Sequence, residues 1–377
     1  MKKFFIFIVV LFCLPISVKS QNSKKWEDFY YEQAKSSDIQ KIYEALPQNC
    51  LTLLNKIGID EINPAKIYDL NFKKIIKVLS EITGTKVRSP LTTVSVSLGI
   101  LIISATIKNL KDSKNSINNS SSIINSITTL CLCANILIPI ISFINSVSIV
   151  IKALTDFSLC ITPVLGSIMI VSGKPLQAAS YQTLILFAGQ VISYITGKYL
   201  SPITNIILGI ALISSISSHV NAEHFCFTVQ KLIKNILKFT ASIFTGILAL
   251  QNIVSSKADS MATNTLKLSI SSFVPIVGNA ISDAFTTMYG CIDLLKVGVG
   301  AFGIIAGSII LLPSIIECLI WNCLLSICEF IADILELKKI KNLFKSINNV
   351  ISISFAIILY VAMILIVSTA IILTCGG

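Results

Sequence analysis

Charged residues are scarce in this sequence. They make up 13% of its 377 residues, whereas hydrophobic residues make up 54%. A soluble globular domain carries about 25% charged residues. The chain therefore has too few charges to cover a water-facing surface, and a lipid bilayer must be the solvent for much of it. This composition predicts an all-α fold, that of a polytopic helical integral membrane protein.

Catalytic and metal-binding patterns are also lacking. The two histidines, His219 and His224, lie beside Glu223, but a spacing of five residues separates them by about 140° around a helix. Zinc proteases need both histidines on one helical face. No nucleophile–base pair and no Walker-type phosphate loop occurs in the sequence. We therefore expect no enzyme activity, no catalytic residue, no metal and no cofactor.

The cysteines do not form a redox or metal motif. There are eleven of them without a C-x-x-C pair, and Cys318, Cys323 and Cys328 recur every five residues, so they spiral around a helix. Cys50 is alone in the polar N-terminal region, so no internal disulfide framework is predicted there. We interpret the cysteines as small apolar side chains within membrane helices.

The N-terminus has the pattern of a signal peptide in residues 1–20. Lys2 and Lys3 precede an apolar core, and Val18 and Ser20 are small enough for cleavage before residue 21. An uncleaved anchor is the alternative. In either case residues 21–89 should lie outside the cytoplasm as a small helical segment. Its predicted helices end at Pro47 and Gly58, and a third begins at Asn63 and ends at Gly84.

Residues 90–377 predict a multi-span transmembrane domain of about ten membrane segments, including a polar segment at 258–293 that is broken by proline and glycine. Two of the expected spans form a hairpin around Pro202. The net charge of +11 comes from short lysine clusters between apolar segments, at residues 108–114, 219–238 and 338–345. Positive clusters beside spans are typical of cytoplasmic loops. The charge therefore indicates a bilayer, and not nucleic acid, as the partner.

A polar segment interrupts the apolar pattern at residues 258–303. Polar groups at membrane depth are costly, so they usually face a bundle interior, a water-filled cavity or the interface. The lysines at 338–345 favour a crossing of residues 268–288, broken at Pro275 and Gly278, over a re-entrant loop. The glycines from Gly298 onward match a dinucleotide motif formally but follow no strand, so we interpret Gly303 and Gly307 as a close helix-packing face. The candidate pore-lining or subunit-packing residues are Asp259, Lys267, Pro275, Gly278, Asp283, Lys296, Gly300, Gly303 and Gly307.

The same segment resembles the stage III sporulation protein AE family of endospore-forming bacteria. The residues that carry the resemblance are Ala258-Asp259, Thr265, Lys267, the run from Phe273 to Gly278, Asp283-Ala284, Leu294-Leu295-Lys296 and Val299-Gly300. Ser260 and Ala262 stand where the family pattern has glycine, and Asn279 stands where it has a basic residue.

The resemblance implies a membrane subunit of the channel or secretion-like complex that joins the mother cell to the forespore. Such a protein lies in the mother-cell membrane surrounding the forespore. Its implied partners are the other stage III sporulation A-operon proteins and, through the complex, stage II sporulation protein Q. The residues alone leave open a stand-alone secondary transporter that uses intramembrane acidic residues such as Asp259 and Asp283.

Overall fold

A computed structural model of the protein describes residues 42–43, 46–59, 72–112, 119–195, 201–216, 222–273 and 278–374. Every regular element in these ranges is an α-helix, which confirms the predicted fold class. The predicted signal peptide and the helix start at Asn63 lie outside the described residues. The helices are α1 (Gln48–Ile57), α2 (Phe72–Asp112), α3 (Asn119–Val171), α4 (Pro175–Ile195), α5 (Ser201–Ile216), α6 (Ala222–Phe273), α7 (Gly278–Ile334) and α8 (Lys338–Thr374).

Several of these helices are long and apolar enough to cross a membrane, as expected for a polytopic membrane protein. Within the described ranges there are five, at Lys74–Ile107, Ser126–Val171, His224–Ala262, Leu295–Ile334 and Lys338–Ile371. The sequence predicted about ten shorter segments. Part of the difference arises because α3 is one helix where two segments were predicted, at residues 123–151 and 157–171, and because α7 continues through Pro313. Helices α4 and α5, each predicted as a segment, are not among the five. A proline in a packed membrane helix removes one backbone hydrogen bond without ending the helix, because neighbouring groups replace the lost partner.

Helix α7 forms the centre of the bundle and α8 folds back along it. Of the most apolar stretch of α7, 89% is buried inside the protein, whereas only 11% of the corresponding stretch of α6 is buried. The turn between α7 and α8 is tight. Glu336 adopts the left-handed conformation there with φ of 54°, and Leu337 N–H donates to the Ala332 carbonyl over 2.9 Å. The fully buried rings of Phe302, Trp321 and Phe344 fill the space around this hairpin.

Hydrogen bonds between side chains fix the register of α2 against α3. Thr128 Oγ1 donates to Ser104 Oγ over 2.9 Å. Asn135 Nδ2 donates to the Thr93 carbonyl over 2.9 Å and to Ser97 Oγ over 3.0 Å. Bonds of this kind between membrane helices each contribute about 1 kcal/mol. As residue numbers rise on α3 while they fall on α2, the two helices are antiparallel.

The lysine-bearing end of α2 and the lysine-bearing start of α8 lie at one end of the bundle, which we call the lysine end. Helix α2 ends beside the start of α3, and α8 begins after the α7–α8 turn. The lysines on these segments are Lys108, Lys111, Lys338, Lys339 and Lys341. The lysines of α6 lie further along the bundle, because Lys234 is close to Cys318 of α7, next to the Glu317 that pairs with Lys86. The third predicted cluster is therefore not at the lysine end, and the cytoplasmic orientation of the clusters stays a prediction.

Helices α4 and α5 follow one another along the bundle. Helix α4 begins at the end opposite the lysine end, next to the end of α3, whereas α6 begins toward the lysine end. The chain between residues 175 and 222 must therefore pass along the bundle once. The predicted hairpin around Pro202 is wrong, because a hairpin of α4 and α5 would return the chain to the end at which α4 begins.

The polar segment at 258–303 is divided between two long helices. Helix α6 runs away from the lysine end and ends at Phe273, and α7 begins at Gly278 and runs back toward it. Residues 274–277, including Pro275, lie outside the described residues. This arrangement differs from the separate crossing that we expected at residues 268–288, because the helices on both sides continue into the bundle.

Residues of the predicted extracytoplasmic segment pack directly on α7. The Cys50 thiol donates to the Ala306 carbonyl over 3.8 Å, and the rings of Tyr43 and Phe302 stack with centroids 6.4 Å apart. Lys86 of α2 forms an ion pair with Glu317 over 2.7 Å. Helix α1 ends at Gly58, as predicted, where φ is +99°.

The predicted helix end at Gly84 is wrong. Helix α2 passes through Gly84 and through the predicted domain boundary between residues 89 and 90. Contacts on both sides of the glycine hold the helix straight, since Ile82 is buried and Lys86 is paired with Glu317. Tertiary contacts outweigh the roughly 1 kcal/mol by which glycine disfavours a helix interior. The side of the membrane on which this segment lies stays a prediction.

The docking of α1 on α7 predicts that Cys50 does not react with thiol reagents. Burial raises the pKa of the Cys50 thiol from 9.0 to about 12, so almost none of it is thiolate at pH 8. We expect no maleimide labelling of Cys50 in the folded protein within an hour at pH 8, and full labelling after denaturation, measured by mass spectrometry. Rapid labelling of the folded protein would show that α1 is not docked.

Candidate functional site

A buried carboxylate joins α6 to the beginning of α4. Asp259 of α6 is 3% exposed. Its Oδ1 accepts the Leu176 N–H over 3.2 Å, and its Oδ2 accepts the Gln177 N–H over 2.9 Å. These N–H groups belong to the first turn of α4, where no partner exists within the helix. A carboxylate is favoured there because the N-terminus of a helix carries partial positive charge.

The sequence before α4 explains why this partner comes from another helix. The α3–α4 turn is made by Ser172, Gly173 and Lys174, with Gly173 at φ of 72° and Lys174 N–H donating to the Met169 carbonyl over 3.0 Å. Pro175 then begins α4. Lysine at the position before the helix has no oxygen with which to cap it, unlike serine, threonine, aspartate or asparagine. Asp259 supplies the cap from α6.

A second polar pair lies one step along the same contact. Gln177 is 3% exposed, and its Nε2 donates to Oδ1 of Asn252 on α6. Asn252 and Asp259 are seven residues apart, which places them on one face of α6. The Oε1 atom of Gln177 is buried without a hydrogen-bond partner. Two side chains of α6 therefore hold both the backbone and a side chain of the first turn of α4.

Lys296 of α7 is almost completely buried. It is 1% exposed, and Leu295 and Val299 of the same helix are buried as well. It is one turn from Gly300, which packs against Leu373 near the end of α8. Lys296 is therefore near the end of the bundle opposite the lysine end, as is Asp259. An intramembrane charge at such depth is typical of a functional or structurally essential position.

The glycines of α7 allow its backbone to approach two neighbouring helices. A methyl group added to Gly300 would lie 2.6 Å from Cδ2 of Leu373, and one added to Gly307 would lie 2.9 Å from Cδ2 of Leu365. A methyl group added to Gly303 would lie 2.5 Å from Cδ1 of Ile161. These contacts join α7 to α8 and α3 of the same chain, so the glycine face lies inside the subunit. A role between subunits stays a prediction.

The remaining candidates are placed only by their backbone or lie outside the described residues. Lys267 is on α6, Asp283 is on α7, and Gly278 is the first residue of α7. Pro275 belongs to residues 274–277, outside the described residues. Among the described side chains, the candidates placed inside the bundle are therefore Asp259 at the start of α4, Lys296 on α7 and the glycines between α7, α8 and α3.

Sequence reasoning missed Gln177 and Asn252. The seven-residue spacing of Asn252 and Asp259 was a usable signal, because it places two polar side chains on one face of an otherwise apolar helix. Gln177 gave no such signal, since only the approach of α6 to the start of α4 gives it a partner. No group of three or more His, Cys, Asp or Glu side chains in the described part of the chain is placed to hold a metal ion.

Comparisons with known proteins agree with the resemblance seen in the polar segment. The sequence profile of the stage III sporulation protein AE family matches residues 60–376. Stage III sporulation protein AE of Bacillus subtilis (strain 168) is similar, with 27% identity over 165 residues. That alignment covers 43% of this chain and 40% of the relative, so it spans less than half of either protein. No solved structure matches the chain.

Proposed function

Because the chain belongs to the stage III sporulation protein AE family, we propose that it is a membrane subunit of the channel complex between mother cell and forespore. The chain is thus a sporulation protein with a multi-pass helical fold. In the proposed complex it lies in the mother-cell membrane that surrounds the forespore. There it serves a secretion-like passage that sustains forespore development.

The observation that carries this proposal is the extent of the family match. Residues 60–376 run from just before α2 to the end of α8, so they include nearly all of the described bundle. The proposed function therefore belongs to the bundle as a whole. The sequence contains no Walker-type phosphate loop, so the chain does not power transport through nucleotide hydrolysis at such a loop.

The proposed partners are the other stage III sporulation A-operon proteins and, through them, stage II sporulation protein Q. The polar first half of α2 and the docked helix α1 offer a surface to such partners. If residues 21–89 are extracytoplasmic, this surface faces the space between the two membranes. Because α1 and α2 are packed on α7, a partner bound to this surface would be held in a fixed position relative to the centre of the bundle.

A stand-alone secondary transporter is the second candidate. The observation in its favour is the buried polar contact at Asp259, together with the buried Lys296. Charged groups deep in a membrane bundle often form a proton or ion path. Such a transporter would work without partners, which separates the two proposals experimentally.

Purification from sporulating cells in mild detergent tests the channel-subunit proposal. We expect other stage III sporulation A-operon proteins to co-purify with the tagged chain, and a deletion strain to stop forespore development after engulfment. A pull-down from vegetative cells that express the chain alone is the control. Solute uptake by the purified chain in liposomes, with no co-purifying sporulation protein, would favour the transporter instead.

A further inference from the structure

The exposed face of α3 changes from apolar to mostly polar after Ile138, and it is apolar again at Ile170 and Val171. Toward the lysine end it presents Ile127, Leu130, Cys131, Ala134 and Ile138. Beyond that point it presents what we call the polar stripe, whose exposed members are Ser142, Asn145, Ile149, Lys152, Asp156, Cys160, Pro163 and Ser167. The spacing of three or four residues places the stripe on one side of the helix.

Helix α2 changes at the same height of the bundle. Its exposed residues from Lys74 to Ser89 are mostly charged or hydroxylated, whereas those from Leu91 to Ile107 are mostly apolar. The bonds of Asn135 to Thr93 and Ser97 place residue 141 of α3 near residue 89 of α2. Two neighbouring helices therefore mark one boundary between an apolar and a polar surface.

Helix α4 has the opposite character at the height of the polar stripe. A methyl group added to Gly189 would lie 3.3 Å from Cδ2 of Leu159 and 3.5 Å from Cγ2 of Thr155, so α4 passes this part of α3 closely. Its exposed residues there include Leu186, Phe187 and Val191, and Phe187 is 68% exposed. One helix presents lipid-compatible side chains where its neighbour presents Lys152 and Asp156.

Helix α6 extends the apolar surface of α4. It has no charged residue between Lys238 and Lys257, and Ile243, Ile247, Leu250 and Val254 are exposed on it. Asp259 and Asn252 join this part of α6 to the start of α4. Together α4 and α6 form an apolar side of the bundle at the height of the polar stripe.

Tilting the bundle in a flat bilayer does not remove this contrast. Packed helices are about 8–10 Å apart, so tilting changes the relative depth of two neighbouring helices by less than that distance. The apolar part of α3 lies about 40 Å along the helix from the height of Leu159, which is too far for tilting to bring it to the depth of α4. Membrane helices tilt by at most about 40°. If α4 contacts acyl chains, the polar stripe beside it is at the same depth, where each lysine or aspartate costs about 3 kcal/mol.

A cleft next to the polar stripe indicates what covers it. The cleft has a volume of about 740 Å³ and is bounded by α1, α2, α3 and α7. Ser142, Asn145 and Ile149 belong both to its wall and to the stripe. Asn49, Lys86 and Ser314 add polar groups to the other walls. Apolar side chains such as Ile138, Ile141 and Val150 also line the cleft. A space of this size is large enough for many water molecules, and the polar groups of its walls supply partners for some of them.

We propose that the polar stripe of α3 lines a water-filled space at the membrane depth where α4 and α6 contact lipid. The proposal deepens the channel-subunit function and rests on it, because it assigns the aqueous side of the subunit. Lys152 and Asp156 carry opposite charges one helical turn apart, so the stripe has no net charge. It suits small hydrophilic solutes without selecting anions or cations.

Two native cysteines on α3 test this assignment. Cys160 belongs to the polar stripe and Cys131 to the apolar part of the same exposed face. In membranes from sporulating cells, with the other cysteines replaced by serine or alanine, an impermeant maleimide is added from the extracytoplasmic side. We expect Cys160 to be labelled at least tenfold faster than Cys131, with the complex intact by co-purification.

Leu186→Cys and Val191→Cys, each in a background without other cysteines, are the matched controls on α4. We expect both to resist the impermeant maleimide and to react with a membrane-permeant one. Labelling of Cys160 and of both α4 positions would place this height outside the membrane and overturn the proposal. No labelling of Cys160 would show that a partner protein covers the stripe, which also overturns it. Co-purification with sporulation partners despite either result would leave the channel-subunit function standing.

Discussion

Replacing Asp259 with alanine should destabilise the protein more than any other single change at the α4–α6 contact. The variant leaves the Leu176 and Gln177 N–H groups buried without an acceptor. A hydrogen bond to a charged group contributes about 1.5–3 kcal/mol, so we expect a loss of about 3 kcal/mol or more. The expected result is a lower melting temperature in detergent, less protein in the membrane and failure of sporulation.

Two further variants distinguish loss of the cap from a general effect of mutation. Asp259→Asn keeps one oxygen acceptor, and asparagine caps helices almost as well as aspartate, so we expect this variant to retain most of the stability. Lys257→Ala changes an exposed position two residues away and should be neutral. An Asp259→Ala variant as stable as the unmodified protein would show that α4 does not depend on α6. A stable but inactive Asp259→Asn variant would favour a charge-dependent role, as in a transporter.

The double variant Gly303→Val and Gly307→Val should separate α7 from its neighbours. Each valine places atoms where Ile161 or Leu365 already lies, at distances of 2.5 Å and 2.9 Å for the first added carbon. Overpacking of this kind costs about 1–3 kcal/mol at each site. Because these glycines pack within the chain, we expect loss of folded monomer and not merely loss of assembly, measured by protease resistance and size-exclusion chromatography.

Gly246→Val on α6 is the matched control for the glycine variants. It is an exposed helical glycine with no heavy atom within 4 Å of an added methyl group. Valine has a higher helix propensity than glycine, so this variant should be neutral or slightly stabilising. If the double variant folded as well as Gly246→Val, the close contacts of α7 with α3 and α8 would be wrong.

Sequence patterns predicted the features that depend on local composition. The low charge content predicted the helical membrane fold, because it depends on transfer between water and lipid. The lysines that end α2 and those that begin α8 were correctly placed together, whereas the lysines of α6 lie further along the bundle. The polar segment also directed attention to Asp259 and Lys296. Composition marks such residues because their burial is costly wherever the chain places them.

Helix ends were less predictable than helical character. Gly84, Pro139, Pro163 and Pro313 are all helix-breaking signals, yet α2, α3 and α7 continue through them. Such signals describe the preference of an isolated segment. Packing along helices about 60–85 Å long opposes that preference with contacts on both sides of each residue.

The sequence by itself determined that this chain is a helical sporulation protein of the membrane, because family pattern and hydropathy are properties of residues in order. Only the tertiary structure decided that Asp259 caps α4 and that the glycines face the interior of the subunit. It also showed that, at the same height of the bundle, α3 presents a polar surface and α4 an apolar one. Which groups bind a buried carboxylate depends on which helices meet, and so does the direction in which a helix face points. Residues far apart in the chain make those contacts, so local sequence patterns do not reveal them.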